Sequence, residues 1–207
     1  HEHSDHIAGL QQLLKRFDIP VYTKQGTWRE IQDKLIVPKN QLIELTKGSL
    51  TLGNLIVEPF AVSHDAADPI GINVFAGKDK ATVVTDTGVI SDSILRRMDD
   101  TTLLVLEANY DPHMLRFGPY QPFLKQRVAS DEGHLSNEMA AQALLMMNRP
   151  DFMQVILAHR SENNNNAVLV TQTIGKMLVD GGVRIGPEMK LQHGQPNEIV
   201  SMKSVKR

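Results

Sequence analysis

At 207 residues, 41% hydrophobic and 22% charged, the chain holds enough apolar material for one sizeable core and lacks the composition of a disordered segment. A net charge of −2 excludes a generally basic, polyanion-coating surface, so nucleic-acid contact would have to come from a local cationic patch. With no cysteine, disulfides and thiolate ligands are excluded, and no apolar run reaches membrane-spanning length; the expectation is one domain over residues 1–207, cytoplasmic, with no membrane partner.

The chain opens on His1-Glu2-His3-Ser4-Asp5-His6, which reads H-x-H-x-D-H. Three imidazoles and a carboxylate in six residues are hard to satisfy as packing, because each would need its own hydrogen-bonding partner. They suit a metal site: neutral imidazole takes zinc or iron, and added carboxylate admits manganese. In an extended segment alternate residues share a side, which puts His1, His3 and Asp5 together, with His6 supplied by the turn that opens a helix. Ile7, Leu10, Leu13, Leu14 and Phe17 then fall at helical spacing and predict one buried face up to Asp18-Ile19-Pro20.

Val21-Tyr22 reads as a short strand. Thr27 and Glu30 form a capping-box pair opening a helix with Trp28, Ile31 and Leu35 inward. Between Gln41 and Asp86 the pattern turns to strands: 42–45, 49–52, 55–62, 72–76 and 81–84, with turns at Gly53-Asn54 and Gly77 to Lys80. Residues 91–98 predict a helix and 103–106 a buried strand. Residues 110–133, punctuated by Pro112, Gly118, Pro119 and Pro122, read as irregular or short-helical. A helix follows Gly133 to Asn137, a strand covers 155–158, and a helix with Val168, Val170, Ile174 and Leu178 inward closes at Gly181-Gly182. One or two last strands are expected at 189–191 and 198–200. His113 and His193 read as surface residues.

His64, Asp86 and His159 each stand just after an apolar strand, as Glu107 does. Layered α/β folds gather their sites at such strand ends, where loops meet while the core stays dry. A lone aspartate there is more often a turn former, and a lone histidine a satisfied structural group; the ordered set is a far more specific signal.

That set, H-x-H-x-D-H followed by Ser63-His64-Asp65, Thr85-Asp86-Thr87-Gly88 and Ala158-His159-Arg160-Ser161, resembles the metallo-β-lactamase superfamily over nearly the whole chain. The resemblance implies an α/β fold of αββα sandwich type whose site residues converge on one sheet edge. Members of the superfamily place a run of strands ahead of the motif, so this chain is expected to be N-terminally incomplete. The resemblance also implies two divalent ions, zinc or manganese with iron admissible. One would be held by His1, His3 and His64, and the other by Asp5, His6 and His159, with Asp86 bridging. Two such ions ~3.5–4 Å apart would clamp an in-line displacement and deliver hydroxide near neutral pH. Histidine rather than carboxylate at position 3 disfavours the di-iron, oxygen-reducing branch.

The superfamily spans several chemistries, so the metal site alone names no substrate. Gly133-His134-Leu135-Ser136-Asn137 leads into a helix and resembles the Gly-His-Ser-Thr element of RNase Z-type nucleases. It would offer amides and the positive end of the helix dipole to phosphate, with His134 near the leaving oxygen; an N-cap at Ser136 or Asn137 is the plainer reading. Glu107 in Glu107-Ala108-Asn109 resembles the acid that orients that histidine. Arg116, Tyr120, Lys125 and Arg127 concentrate cations and an aromatic, a mixture suited to single-stranded nucleic acid and equally to a solvated helix. With Asn163 and Asn164, these stretches resemble the YycJ/WalJ (VicX) branch, although Tyr110 stands where that branch is expected to carry histidine. The branch implies 5′→3′ exodeoxyribonuclease activity in DNA repair, on single-stranded DNA or DNA with a free 5′ end. Catalytic roles would fall to Asp5, His134 and Glu107, and phosphate or DNA contacts to Ser136, Asn137, Asn163, Asn164, Arg116, Tyr120, Lys125 and Arg127. A small-molecule ester or thioester hydrolase and a weakly active metal-binding regulator are the competing expectations. Neither metal identity nor oligomeric state is legible.

Overall fold

A computed structural model describes residues 1–38, 40–46, 48–195 and 198–201. The amino-terminal helical region is two short helices rather than one, α1 (Ser4–Ile7) and α2 (Leu10–Arg16). The break falls at Ala8-Gly9, where glycine gives up helical preference. Of the five apolar residues predicted to face inward, only Leu14 is buried; Leu13 and Phe17 are 43% and 51% exposed. Next come β1 (Val21–Thr23) and α3 (Gln25–Ile31), the latter starting after Lys24 rather than at Thr27. The capping box therefore does not form: Thr27 lies inside the helix, buried, and its hydroxyl donates to the Asp68 carbonyl at 3.3 Å. The second strand, β2 (Leu42–Glu44), pairs in parallel with β1 as a separate two-stranded sheet.

The main sheet has seven strands lying side by side in chain order. In sequence the elements are β3 (Leu50–Leu52), β4 (Leu55–Ala61), β5 (Ile70–Ala76), β6 (Asp79–Val84), α4 (Asp92–Met98) and β7 (Leu103–Glu107). They continue through α5 (Pro112–Phe117), α6 (Pro122–Val128), α7 (Asn137–Met146), β8 (Met153–Ala158), α8 (Ala167–Asp180) and β9 (Met189–His193). Tight turns join β3 to β4 and β5 to β6, and the longer loop 62–69 joins β4 to β5, so β3 to β6 are antiparallel neighbours, while β6 to β9 run parallel because intervening segments carry the chain back each time. Residues 198–201 form no strand, so β9 is the only terminal strand among the described residues.

One face of this sheet is the core. Phe60, Val84, Leu104, Leu106, Val155 and Leu157 point to it and pack against Ile94 and Met98 of α4, Ala140 and Leu144 of α7, and Ile174 and Leu178 of α8. The period-2 alternation puts Val83, Leu103, Val105 and Ile156 on the opposite face, where burial is only partial and Val83 is 37% exposed. The mixed α/β class is as expected. Of the αββα layering, the described residues show this helix-covered sheet and the small β1–β2 pair. Among them no helix is long and apolar enough to cross a membrane.

Topology brings the site together. The parallel register aligns Val84, Leu106 and Leu157 across β6, β7 and β8, so Asp86, Glu107 and His159 leave the sheet at one edge. Two antiparallel steps separate β4 from β6, so β4 runs in the same sense and delivers His64 to that edge too.

Candidate metal centre

Two of the predicted site residues sit in strained backbone. Asp86 and His159 are non-glycine residues in the left-handed region, at φ 56° and 49°, a conformation that costs roughly 1 kcal/mol or more and persists where surrounding contacts enforce it. Here hydrogen bonds at the turns do so. Glu107 Oε2 accepts the Asp86 amide at 2.9 Å, and Asn109 Nδ2 donates to the His159 carbonyl at 2.8 Å.

At the amino terminus His3 is extended and α1 begins at Ser4. Asp5 therefore does not share a side with His1 and His3, as alternation predicts, but lies with His6. The ligand atoms of His1, His3 and His64 lie within 4.8 Å of one another; so do those of Asp5, His6, Asp86 and His159. Asp86 stands between the groups. Its Oδ1 lies 3.8 Å from His64 Nε2 and 3.4 Å from His159 Nε2, and its Oδ2 lies 3.2 Å from His6 Nε2.

Several ring nitrogens are assigned by their partners. His64 Nδ1 donates to the Glu132 and Gly133 carbonyls at 3.0 and 3.1 Å, leaving the Nε2 lone pair towards the centre. His159 Nδ1 donates to Glu107 Oε2 at 2.7 Å, which frees its Nε2 likewise. Outer partners of this kind fix the tautomer that a metal ligand needs. The buried His1 Nε2 and Asp86 Oδ2 make no hydrogen bond at all. Orphaned acceptors beside unprotonated nitrogens suit divalent cations, so the donor set fits the ions that the sequence implies.

Glu107 holds the constellation from beneath. It is fully buried, and its two oxygens accept four hydrogen bonds, from the Asp86 and Leu135 amides and from His134 Nδ1 (3.1 Å) and His159 Nδ1. Burial alone would raise its pKa, but the two histidines outweigh it and hold the carboxyl below its ordinary range. Asp86 is also held down, its burial outweighed by the neighbouring His6 and the charge of His159.

Burial works against a charged His159, yet Glu107, Asp86 and Asp5 push its pKa from 6.5 up to about 9. In metal-free protein the protonated ring favours folding fully below pH 6.5, and that contribution is lost as pH rises through about 9. The shift corresponds to roughly 3 kcal/mol. His64 is held below its ordinary value by burial and adds no slope of its own in that window. Metal-free protein is thus expected to melt at progressively lower temperature between pH 6.5 and 9, whereas loaded protein, with His159 held neutral, keeps its midpoint. Melting curves with and without chelator check this; identical pH dependence in both would contradict it.

The family of beta-lactamase superfamily domains matches residues 1–159, the span that contains every residue of both groups. The chain belongs to the metallo-β-lactamase superfamily. The chain is 35% identical over 198 residues to a Bacillus anthracis protein named exodeoxyribonuclease YycJ, covering 95% of the chain and 75% of the relative. It is 32% identical over 202 residues to exodeoxyribonuclease WalJ of Streptococcus pneumoniae, with the same coverage. It is of the YycJ/WalJ type, a metal-dependent hydrolase. Among solved structures, YhfI of Bacillus subtilis, a metallo-beta-lactamase fold protein, superposes with a TM-score of 0.67 at 17% identity, over 92% of this chain and 72% of that one. The short form of human tRNase Z gives 0.59 at 17%, over 99% and 77%. At such identity these two show the fold alone.

Beside the second group lies a cleft of about 910 Å³, lined by His134, His159, Tyr120, Arg127, Arg160 and Asn163 among others. The expected phosphate and DNA residues divide around it. Tyr120, Asn163 and Arg127 line it, although the Arg127 guanidinium is committed to a bidentate pair with Asp65. Ser136, Asn137 and Asn164 are structural instead. The Ser136 hydroxyl caps α7 by accepting from the Met139 amide; Asn137 and Asn165 pair their amides in the core; Asn164 is fully buried against Ser161. The expected anion site at the start of α7 is occupied by protein, since the Asn137 amide donates to the Tyr110 carbonyl. Gly133 serves close approach rather than phosphate: a Cβ there would lie 2.3 Å from the Arg127 and Val128 carbonyls. Lys125 donates to the Arg116 carbonyl, and Arg116 sits over Phe117, neither lining the cleft. Tyr110 is buried, packing with Leu115 and Val128. His193, read as surface, is half-buried and bonded to Thr171. Reading by sequence missed Asp65, Asn109 and Arg160; an aspartate adjoining a ligand histidine was the only available signal for the first.

Proposed function

We propose that the chain is a metal-dependent exodeoxyribonuclease that removes nucleotides 5′→3′ from DNA with a free 5′ end, in the cytoplasm and in the service of DNA repair. The reading rests on His134 in the cleft wall and its buried partner Glu107. The His134 ring lies 5.1 Å from that of His64 and 5.3 Å from that of His159, with Nδ1 anchored on a buried carboxylate. A second imidazole relay beside the metal groups suits a reaction that must protonate a departing sugar oxygen. The names of the relatives at 35% and 32% identity support DNA as the substrate.

His1, His3 and His64 would hold one ion, and Asp5, His6 and His159 the other, with Asp86 shared between them. We take the ions to be zinc or manganese, with iron admissible. When bound, such ions supply Lewis-acid stabilisation and an activated water. The rest of the work belongs to the protein. Glu107 keeps the His134 Nδ1 proton in place, so that its Nε2, which no described protein group engages, is the atom facing the substrate. His134 donates from Nε2 to the leaving oxygen. Tyr120 and Asn163 line the path of the strand, and Asp5, 60% exposed and 3.6 Å from His159 Nε2, takes up a proton from the attacking water.

Metal-stripped protein is expected to be inactive on oligonucleotides. Adding manganese or zinc should restore stepwise release from the 5′-labelled end while a 3′-labelled strand shortens as a ladder. Turnover of chromogenic thioester or lactam without cleavage of either oligonucleotide would reject the reading.

A further inference from the structure

We infer that Asp65, clamped by Arg127, is a positioning residue of the metal centre that sets a negative charge beside the ring N–H of His3 and the three-imidazole group. The inference rests on the metal centre and not on DNA being the substrate.

The two groups are unequal in charge. One contains Asp5 and Asp86; the other, His1, His3 and His64, has no carboxylate of its own. Within it, His64 Nε2 carries its lone pair, because His64 Nδ1 donates to two backbone carbonyls. That nitrogen lies 3.3 Å from His3 Nδ1, the approach of two ligand atoms around one cation. If His3 serves through Nδ1, its proton is on Nε2. The carboxylate beside that N–H is Asp65, with Oδ1 at 3.9 Å. The same oxygen is 3.5 Å from His64 Nε2, which has no proton to give it. Of the two rings, His3 is therefore the one whose N–H Asp65 attracts, by charge across 3.9 Å rather than through a formed hydrogen bond.

Asp65 is itself held on two sides. Its amide donates to the Glu132 carbonyl at 3.0 Å, the carbonyl that also receives His64 Nδ1. Its carboxylate receives Nε and Nη2 of Arg127, the latter at 3.0 Å. Asp65 does not belong to the set of three mutually close ligand atoms, so it stands outside the group rather than in it. Nor is stability an adequate reason for the pair. The Arg127 side chain is 48% exposed, and ion pairs that wet contribute little. A well-aligned but weak pair at this position is explained by what it does to His3.

The test uses metal-stripped full chain, titrated with zinc against a chelating dye to obtain two dissociation constants. Asp65→Asn is expected to weaken one ion about 10–100-fold, the range for lost outer partners, and leave the other and the metal-free melting temperature close to wild type. Arg127→Gln, which frees the carboxylate without removing it, should weaken the same ion by less. In cobalt-loaded protein the exchangeable His3 ring N–H resonance should broaden into solvent in Asp65→Asn. Unchanged constants in both variants would overturn the inference, as would equal loss at both ions together with a fall in metal-free stability. Wild-type protein that takes up no ion would refute the metal centre, and this inference with it.

Discussion

Asp86→Asn is expected to reduce DNA cleavage by about 10³-fold or more and to lower the metal content of the purified protein, because a single buried carboxylate serves both ligand groups. Asp86 is 3% exposed and reaches His64, His6 and His159 through two oxygens. Asparagine keeps the shape and tolerates the left-handed backbone at φ 56°, so the fold is retained while the charge and one of the two shared oxygens are lost. The protein is left with five imidazoles and the exposed Asp5 to compensate two cations. Single-turnover cleavage with metal analysis of the same sample measures both effects. Full activity with two ions bound would refute the bridging role.

Glu107→Gln is expected to reduce cleavage about 10²–10⁴-fold, to weaken the ion held by His159 about 10–100-fold, and to destabilise the fold by about 1–3 kcal/mol. Four N–H groups converge on this carboxylate. A glutamine offers one acceptor oxygen and turns an NH₂ towards donors. His159 then moves its proton to Nε2, where it blocks ligation, or an amide of Asp86 or Leu135 goes unpaired in a dry site. His134 loses its anchor at the same time. Denaturant titration and metal affinity separate these contributions. A variant that is destabilised but binds both ions as tightly as wild type would reduce Glu107 to a core residue.

The candidate metal ligands were legible because their identity is local chemistry. Histidines and aspartates at the ends of apolar strands stand out in one dimension, and resemblance to a known superfamily orders them into two groups. The strands were legible for a similar reason, since β4 to β8 are apolar runs bounded by turn residues. What failed were readings that need a partner to decide them. Thr27 looks like a cap and is a buried donor to Asp68; the amphipathic stretch from Ile7 to Phe17 breaks at Gly9 and buries only Leu14. Ser136, Asn137 and Asn164 have the chemistry to bind phosphate, but the fold spends them on a cap, an amide pair and a buried loop.

By itself, then, the order of residues determined which groups are candidates to carry the chemistry and that their strands alternate with helices, because side-chain type and periodicity are properties of short stretches. Only the tertiary structure decided which nitrogen of His64, His134 and His159 is free, that Glu107 holds two rings at once, and that Arg127 belongs to Asp65. Those outcomes depend on contacts between residues 27 to 69 positions apart. Such contacts exist only once four strand ends meet at one edge of the sheet.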